Sequence, residues 1–310
     1  MSARPALHIQ LYTAFFTSSH LYLRGRLLKD QPLVDKENGS VWRALFYTGR
    51  RALSREIAHQ KVQVILEKHV VELTTDKEGY FEWQEAVAAI PTPTRTGIQL
   101  NVPYKKQDHL LPIQLEDYSQ SSSIGIISDI DDTIMVTGVQ SFFKLKVALN
   151  TLFINPFRRK PIEDAAAAFH DLSQQATGQG PVIYISNSPW NLYNYLYRFL
   201  QHHNFPKGII TLRDMGWQLF RSRSLEEGNK YKEIKKILAT FNSTSFILIG
   251  DSGELDFDIY QKILAEHPDR IHRIIINKAG NKEKEAAILQ YAQQHPIVEL
   301  IQGYSSLLKE

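Results

Sequence analysis

Eight residues between positions 129 and 256 have the types and spacing for phosphoryl chemistry. Asp129-Ile-Asp131-Asp132-Thr133 follows a short isoleucine-rich run, Ser186-Asn187 follows another, and Asp251 follows a third, with Asp256 five residues on. Lys230 opens an amphipathic stretch before that third run. A phosphate monoester is dianionic and repels a carboxylate, so a carboxylate nucleophile needs positive charge beside it. Mg2+ supplies such charge and takes oxygen ligands, usually a few carboxylates with retained waters. On this reading Asp129 is the nucleophile, and Asp131 is the acid/base that protonates the leaving oxygen and later activates water. Ser186 and Lys230 would hold phosphoryl oxygens.

A bare D-x-D-x-T recurs by chance in very roughly one chain in twenty of this length, so the elements that position it matter more than the pattern itself. The runs 124–128, 181–186, 208–213, 245–250 and 271–277 are short and apolar, as strands buried on both faces are. Amphipathic stretches at 161–174, 189–202, 230–240, 256–267 and 282–293 alternate with them, two opening on a proline that fits a first helical position. Strand and helix in alternation predict an α/β domain with a parallel sheet. Ligands of such sheets bind beyond the carboxyl ends of the strands, where the residues named above fall.

Residues 1–118 have another texture. Short period-two patterns such as Ile9, Leu11, Thr13 and Phe15, or Val62, Val64 and Leu66, predict half-buried strands, interrupted by helical spacing from Trp42 to Ile57. Asp76-Lys-Glu-Gly79 reads as a turn before Tyr80-Phe-Glu-Trp83. The expectation is a small antiparallel β-sandwich at 1–118, a linker at 119–123, and the α/β domain at 124–310.

The blocks at Asp129, Ser186, Lys230 and Asp251 match in order the four motifs of the haloacid dehalogenase superfamily. More narrowly, Ser128-Asp-Ile-Asp-Asp-Thr-Ile134, Ser186-Asn-Ser-Pro-Trp-Asn-Leu-Tyr193, Leu212-Arg-Asp-Met-Gly216 and Gly250-Asp-Ser-Gly-Glu254 resemble the fungal actin-patch phosphatidate phosphatases and their bacterial relatives, over about 124–295. The resemblance implies a haloacid dehalogenase-like (Rossmannoid) fold and Mg2+-dependent conversion of phosphatidic acid to diacylglycerol. By it, Asp129, Asp131 (through its main-chain carbonyl), Asp251 and, in support, Asp256 would hold the metal. Thr133 would steady the motif loop at the phosphate site, and Ser186, Asn187 and Lys230 would bind the phosphoryl group. The family's cytoskeletal recruitment regions have no proline-rich counterpart here. Alternatives are a phosphatase of a phosphoprotein or metabolite, and an adaptor that binds a phosphorylated ligand without turnover.

Bulk properties fit. The 310 residues are 43% hydrophobic and 22% charged with net charge +3, too little to imply nucleic acid. With no cysteine, disulfides, thiolate metal sites and a cysteine nucleophile are excluded, and a cytoplasmic setting is expected. No apolar run reaches the roughly 18 residues of a membrane helix. Short segments around the site predict a small or absent cap, open to a lipid at a membrane surface. The apolar stretch 142–157, ending in Arg158-Arg159-Lys160, is a candidate for peripheral contact with an anionic bilayer. Two patterns are set aside. Gly250-Asp-Ser252-Gly253 is similar to the nucleophile block of chymotrypsin-like proteases, but Glu254 stands where those have glycine. The 11 histidines show no zinc spacing.

Overall fold

A computed structural model describes residues 7–29, 56–66, 69–89, 98–119, 124–136, 157, 159–175, 179–213, 228–253 and 255–308. The chain divides into two compact units, Met1–Gln120 and Ser121–Glu310.

The first unit holds β1 (His8–Thr17), β2 (His20–Leu28), β3 (Lys61–Leu66), β4 (His69–Thr74), β5 (Tyr80–Ala86), β6 (Ile98–Tyr104), β7 (Gln107–Ile113) and β8 (Glu116–Tyr118). They form two four-stranded sheets, β5-β2-β1-β8 and β4-β3-β6-β7. Pairing is antiparallel except between β1 and β8. Leu23 and Leu27 of one sheet and Val62, Val64, Leu100 and Val102 of the other share one buried cluster, the core of a sandwich. The expected face of β1 is only half right. Its register shifts between Leu11 and Thr13, a bulge that reverses the alternation, so Ile9 and Leu11 face the core before it and Ala14 and Phe16 after it. Phe15 is therefore on the opposite face, stacked on Tyr22. At the expected turn, Gly79 takes φ +82°, and a Cβ there would stand 2.7 Å from the Leu27 carbonyl. The helical spacing at 42–57 lies outside the described residues, apart from its end at Ile57, which joins the core.

The second unit runs β9 (Ile124–Asp129), α1 (Ala165–Gln175), β10 (Gln179–Pro189), α2 (Tyr193–His202), β11 (Ile209–Arg213), α3 (Asn229–Thr240), β12 (Ser245–Asp251), α4 (Asp256–Glu266), β13 (Ile271–Asn277), α5 (Lys282–Gln294) and β14 (Val298–Ile301). Its sheet has the order β11-β10-β9-β12-β13-β14 with every pair parallel. Ile126, Ile127, Ile247, Leu248, Ile274 and Ile275 are buried, as strands covered on both faces require. From β9 the chain builds outward through β10 and β11, then returns to β12 on β9's other side. That reversal opens a crevice at the end of β9.

Two details differ from the sequence reading. Neither proline begins a helix. Pro161 instead bridges Met135, and Pro189 ends β10 before a 3-10 turn. The sixth strand, Val298–Ile301, had no sequence signal because it is four residues long with two only half buried. Among the described residues, no helix is long and apolar enough to cross a membrane. The insert at 142–156 and Arg158 lie outside the described residues, as do 214–227 and Glu254, so the expectation of a small or absent cap and most of the segment expected to contact a membrane fall outside them.

Candidate active site

Strand register sets the site. Asp129 is level with Ile185 on β10, so Ser186 and Asn187 stand one and two residues beyond it. Ser128 is level with Ile249 on β12, which carries Asp251 to the same sheet edge. Beyond Asp129 the chain turns sharply. Asp132 has φ +54°, a left-handed conformation that aspartate tolerates better than most residues. Its N–H donates to the Met135 carbonyl at 2.9 Å. This turn sends Thr133, fully buried, back towards the strand, where its hydroxyl donates to Asp129 Oδ2 at 3.3 Å.

Asp129 is 2% exposed, and the Lys230 Nζ lies 2.8 Å from its Oδ1. The same ammonium bonds Asp256 Oδ1, and Lys230 is itself 3% exposed. A lysine at a helix start is ordinarily a solvated surface residue. This one is enclosed between two buried carboxylates, as a charge taken out of water must be paired. Asp256 also accepts from the Asp251 N–H at 3.4 Å, and Asp251 Oδ1 accepts from the Gly253 N–H at 2.5 Å. Gly250 makes this approach possible, since a Cβ there would stand 2.6 Å from Asp256 Oδ2.

One carboxylate oxygen from each of Asp129, Asp251 and Asp256 lies within 4.8 Å of the others. An all-oxygen, anionic, buried set of this kind fits a hard cation such as Mg2+. The Asp131 carboxylate is outside that group. It accepts from the Ser186 hydroxyl at 2.8 Å, and Ser186 Oγ in turn accepts from the Ser188 N–H at 2.9 Å. Burial pushes the Asp131 carboxyl above the usual range and the Asp132 charge adds to this, while Ser186, Lys230 and Arg159 pull it back. Asn187 is half-buried one residue beyond Ser186. All eight residues singled out in the sequence thus lie on one edge of one sheet.

Other contributors carried no sequence signal. The Tyr304 hydroxyl, fully buried, donates to the Thr133 carbonyl at 3.0 Å, and the Tyr260 hydroxyl donates to the Ile249 carbonyl at 2.9 Å. Burial, reinforced by nearby carboxylates, keeps both phenols protonated. Ser252, the serine of the protease-like block, is buried. Its hydroxyl accepts from the Ala279 N–H at 2.8 Å and donates to Glu285 at 3.2 Å, which ties the Asp251 loop to α5.

The sequence pattern of the family described as "Phosphatidate phosphatase APP1, catalytic domain" matches residues 124–278, which include all eight residues singled out in the sequence. The chain belongs to that family. The phosphatidate phosphatase APP1 of Saccharomyces cerevisiae is 31% identical over 193 residues, covering 61% of this chain and 32% of the relative. An uncharacterized protein of Schizosaccharomyces pombe is 29% identical over 212 residues, covering 66% and 34%. The chain therefore spans about a third of the length of these curated relatives. Among solved structures, a carbohydrate acetylesterase from Xanthomonas citri aligns with 94% of this chain and 75% of its own at 9% identity and a TM-score of 0.29, a likeness that carries no argument.

Proposed function

We propose that this chain is a Mg2+-dependent phosphatidate phosphatase that works through an aspartyl-phosphate on Asp129. The observation that carries the reading is the pair of carboxylates two residues apart with opposite environments. Asp129 is buried against an ammonium, which favours its ionised form. The Asp131 carboxyl is pushed up and hydrogen-bonded to a hydroxyl, which suits a proton donor.

In the first step an Asp129 oxygen attacks phosphorus, and the bond to the lipid oxygen breaks as Asp131 delivers its proton there. In the second, Asp131, now ionised, takes a proton from water as that water attacks the phosphorus. The bond to Asp129 then breaks and inorganic phosphate leaves. Lys230 and Thr133 hold the Asp129 carboxylate for both steps, and Ser186 holds Asp131. Asp129, Asp251 and Asp256 would hold Mg2+, with the Asp131 main-chain carbonyl as a further ligand. The metal supplies charge neutralisation of the phosphoryl oxygens. Family membership supports phosphatidic acid as the substrate. Action on a lipid also calls for peripheral contact with a membrane.

The test is phosphate release from phosphatidic acid in mixed micelles and from p-nitrophenyl phosphate, with and without Mg2+, for wild type and Asp129→Asn. Lipid turnover that needs both Mg2+ and Asp129 is expected. Turnover of the soluble ester alone would replace the lipid by a phosphoprotein or metabolite. Release from neither would leave a phospholigand-binding adaptor.

A further inference from the structure

Lys230 is the cation expected to meet the phosphoryl group, yet it is already committed to Asp129 and Asp256. Three ionised carboxylates against one ammonium leave two negative charges, which a single divalent cation would cancel. A dianionic phosphate entering that site meets no net positive charge unless another cation is near.

Arg159 is the candidate for such a cation. The segment after the insert is stitched to the motif loop: Met135 bridges both Asp131 and Pro161, the Val136 N–H donates to the Lys160 carbonyl at 3.1 Å, and the Ile162 N–H donates to the Ile134 carbonyl at 3.0 Å. From the other side, the Arg159 backbone hydrogen-bonds the His203 ring at the end of α2. Arg159 thereby adjoins a segment that is stitched to the motif loop, and its charge reaches the Asp131 carboxyl. It is half-buried, and its Nε is enclosed without a hydrogen-bond partner. Among the described residues it makes no ion pair with any carboxylate. A guanidinium in that state has donors waiting for an anion, in a geometry that matches phosphate oxygens.

We propose that Arg159 binds the phosphate of the substrate and of the inorganic product, facing the reaction site rather than a membrane. This rests on the phosphatase reading for its catalytic meaning but not for its test. The measurement is calorimetric titration of inorganic phosphate into the full chain with Mg2+, for wild type, Arg159→Met and Arg159→Lys, together with melting temperature. The expected result is a loss of phosphate affinity of roughly ten- to hundredfold in Arg159→Met, partly recovered in Arg159→Lys, at an unchanged melting temperature. Phosphate affinity equal to wild type in Arg159→Met overturns the assignment, as does absence of phosphate binding in wild type. So does an equal loss in both variants with a lowered melting temperature, which would mark a structural arginine. If wild type hydrolyses no ester while phosphate binding still depends on Arg159, the phosphatase reading falls and the site stands.

Discussion

Replacing Lys230 by methionine tests the charge architecture of the site most directly. Its side chain is 4% exposed, and the carboxylates it holds are 2% exposed at Asp129 and fully buried at Asp256. At an effective dielectric of about 20, opposite charges at the 2.8 Å of the Asp129 contact attract by about 6 kcal/mol, most of it offset by desolvation of both groups. Methionine keeps the apolar stem but leaves two buried carboxylates facing each other, and removing one partner of a buried pair costs about 3–5 kcal/mol. For a unit of this size that lowers the melting temperature by about 6–20 °C. The assay is calorimetry of the intact chain in EDTA and then in excess Mg2+. Because Lys230→Met frees oxygens that the cation would share, Mg2+ should raise the variant's melting temperature more than it raises wild type's. A variant melting within about 2 °C of wild type in EDTA would mean that Lys230 does not neutralise the cluster. An equal response to Mg2+ in both proteins would mean that Asp129 and Asp256 are not cation ligands.

Two further perturbations probe the surroundings. Tyr304→Phe keeps the ring packed on Phe169 but strips the donor from the buried Thr133 carbonyl, which should cost about 1–3 kcal/mol and slow turnover by loosening the Asp129–Thr133 turn. Unchanged melting and turnover would show that the turn holds itself. The second concerns pH. Burial lowers the His203 pKa below 6.5, with the His202 charge adding to this and the Arg159 backbone opposing it. The unfolded chain, with His203 near 6.5, takes up its proton first, so this residue's contribution is full well above 6.5 and falls as pH drops through that value. His203→Phe, which keeps a ring against Phe199, should therefore lose less melting temperature between pH 7.5 and 5.5 than wild type does. Equal losses would remove His203 as a contributor.

The legible parts of this molecule are those where one chain segment decides the outcome. Ile124–Asp129 and Ser245–Asp251 read as buried strands because both of their faces are apolar, and the carboxylates at their ends are therefore at the sheet edge. Val62, Val64 and Leu66 read correctly because β3 alternates without interruption. Phe15 did not, because one bulge at the middle of β1 reverses the alternation, and no residue type announces that bulge. Ser186 was assigned to the phosphate, but whether its hydroxyl is spent on Asp131 depends on a turn 55 positions away. Tyr304 reaches the motif loop across 171 positions, and Arg159 gains its meaning only from the strand-like stitching of 160–162 to 134–136. Local pattern reveals which groups arrive at the edge. Non-local packing decides what each one faces.

That division explains how Asp129 and Asp131, alike in chemistry and two residues apart, come to face different surroundings. Asp129 is the last residue of a strand in the middle of the sheet, so its carboxylate meets what the neighbouring elements bring: an ammonium from the start of α3 and a hydroxyl from the turn. Asp131 has left the strand, and the left-handed turn at Asp132 holds its carboxylate apart from the cluster, against Ser186 at the end of β10. One carboxylate is thereby held by a cation and the other by a neutral hydroxyl. The proposed division into nucleophile and proton carrier rests on this difference of environment. The same geometry accounts for Gly250. A side chain there would displace Asp256, the carboxylate that shares Lys230 with Asp129, so a glycine in β12 preserves the pairing of Lys230 beside the neighbouring strand.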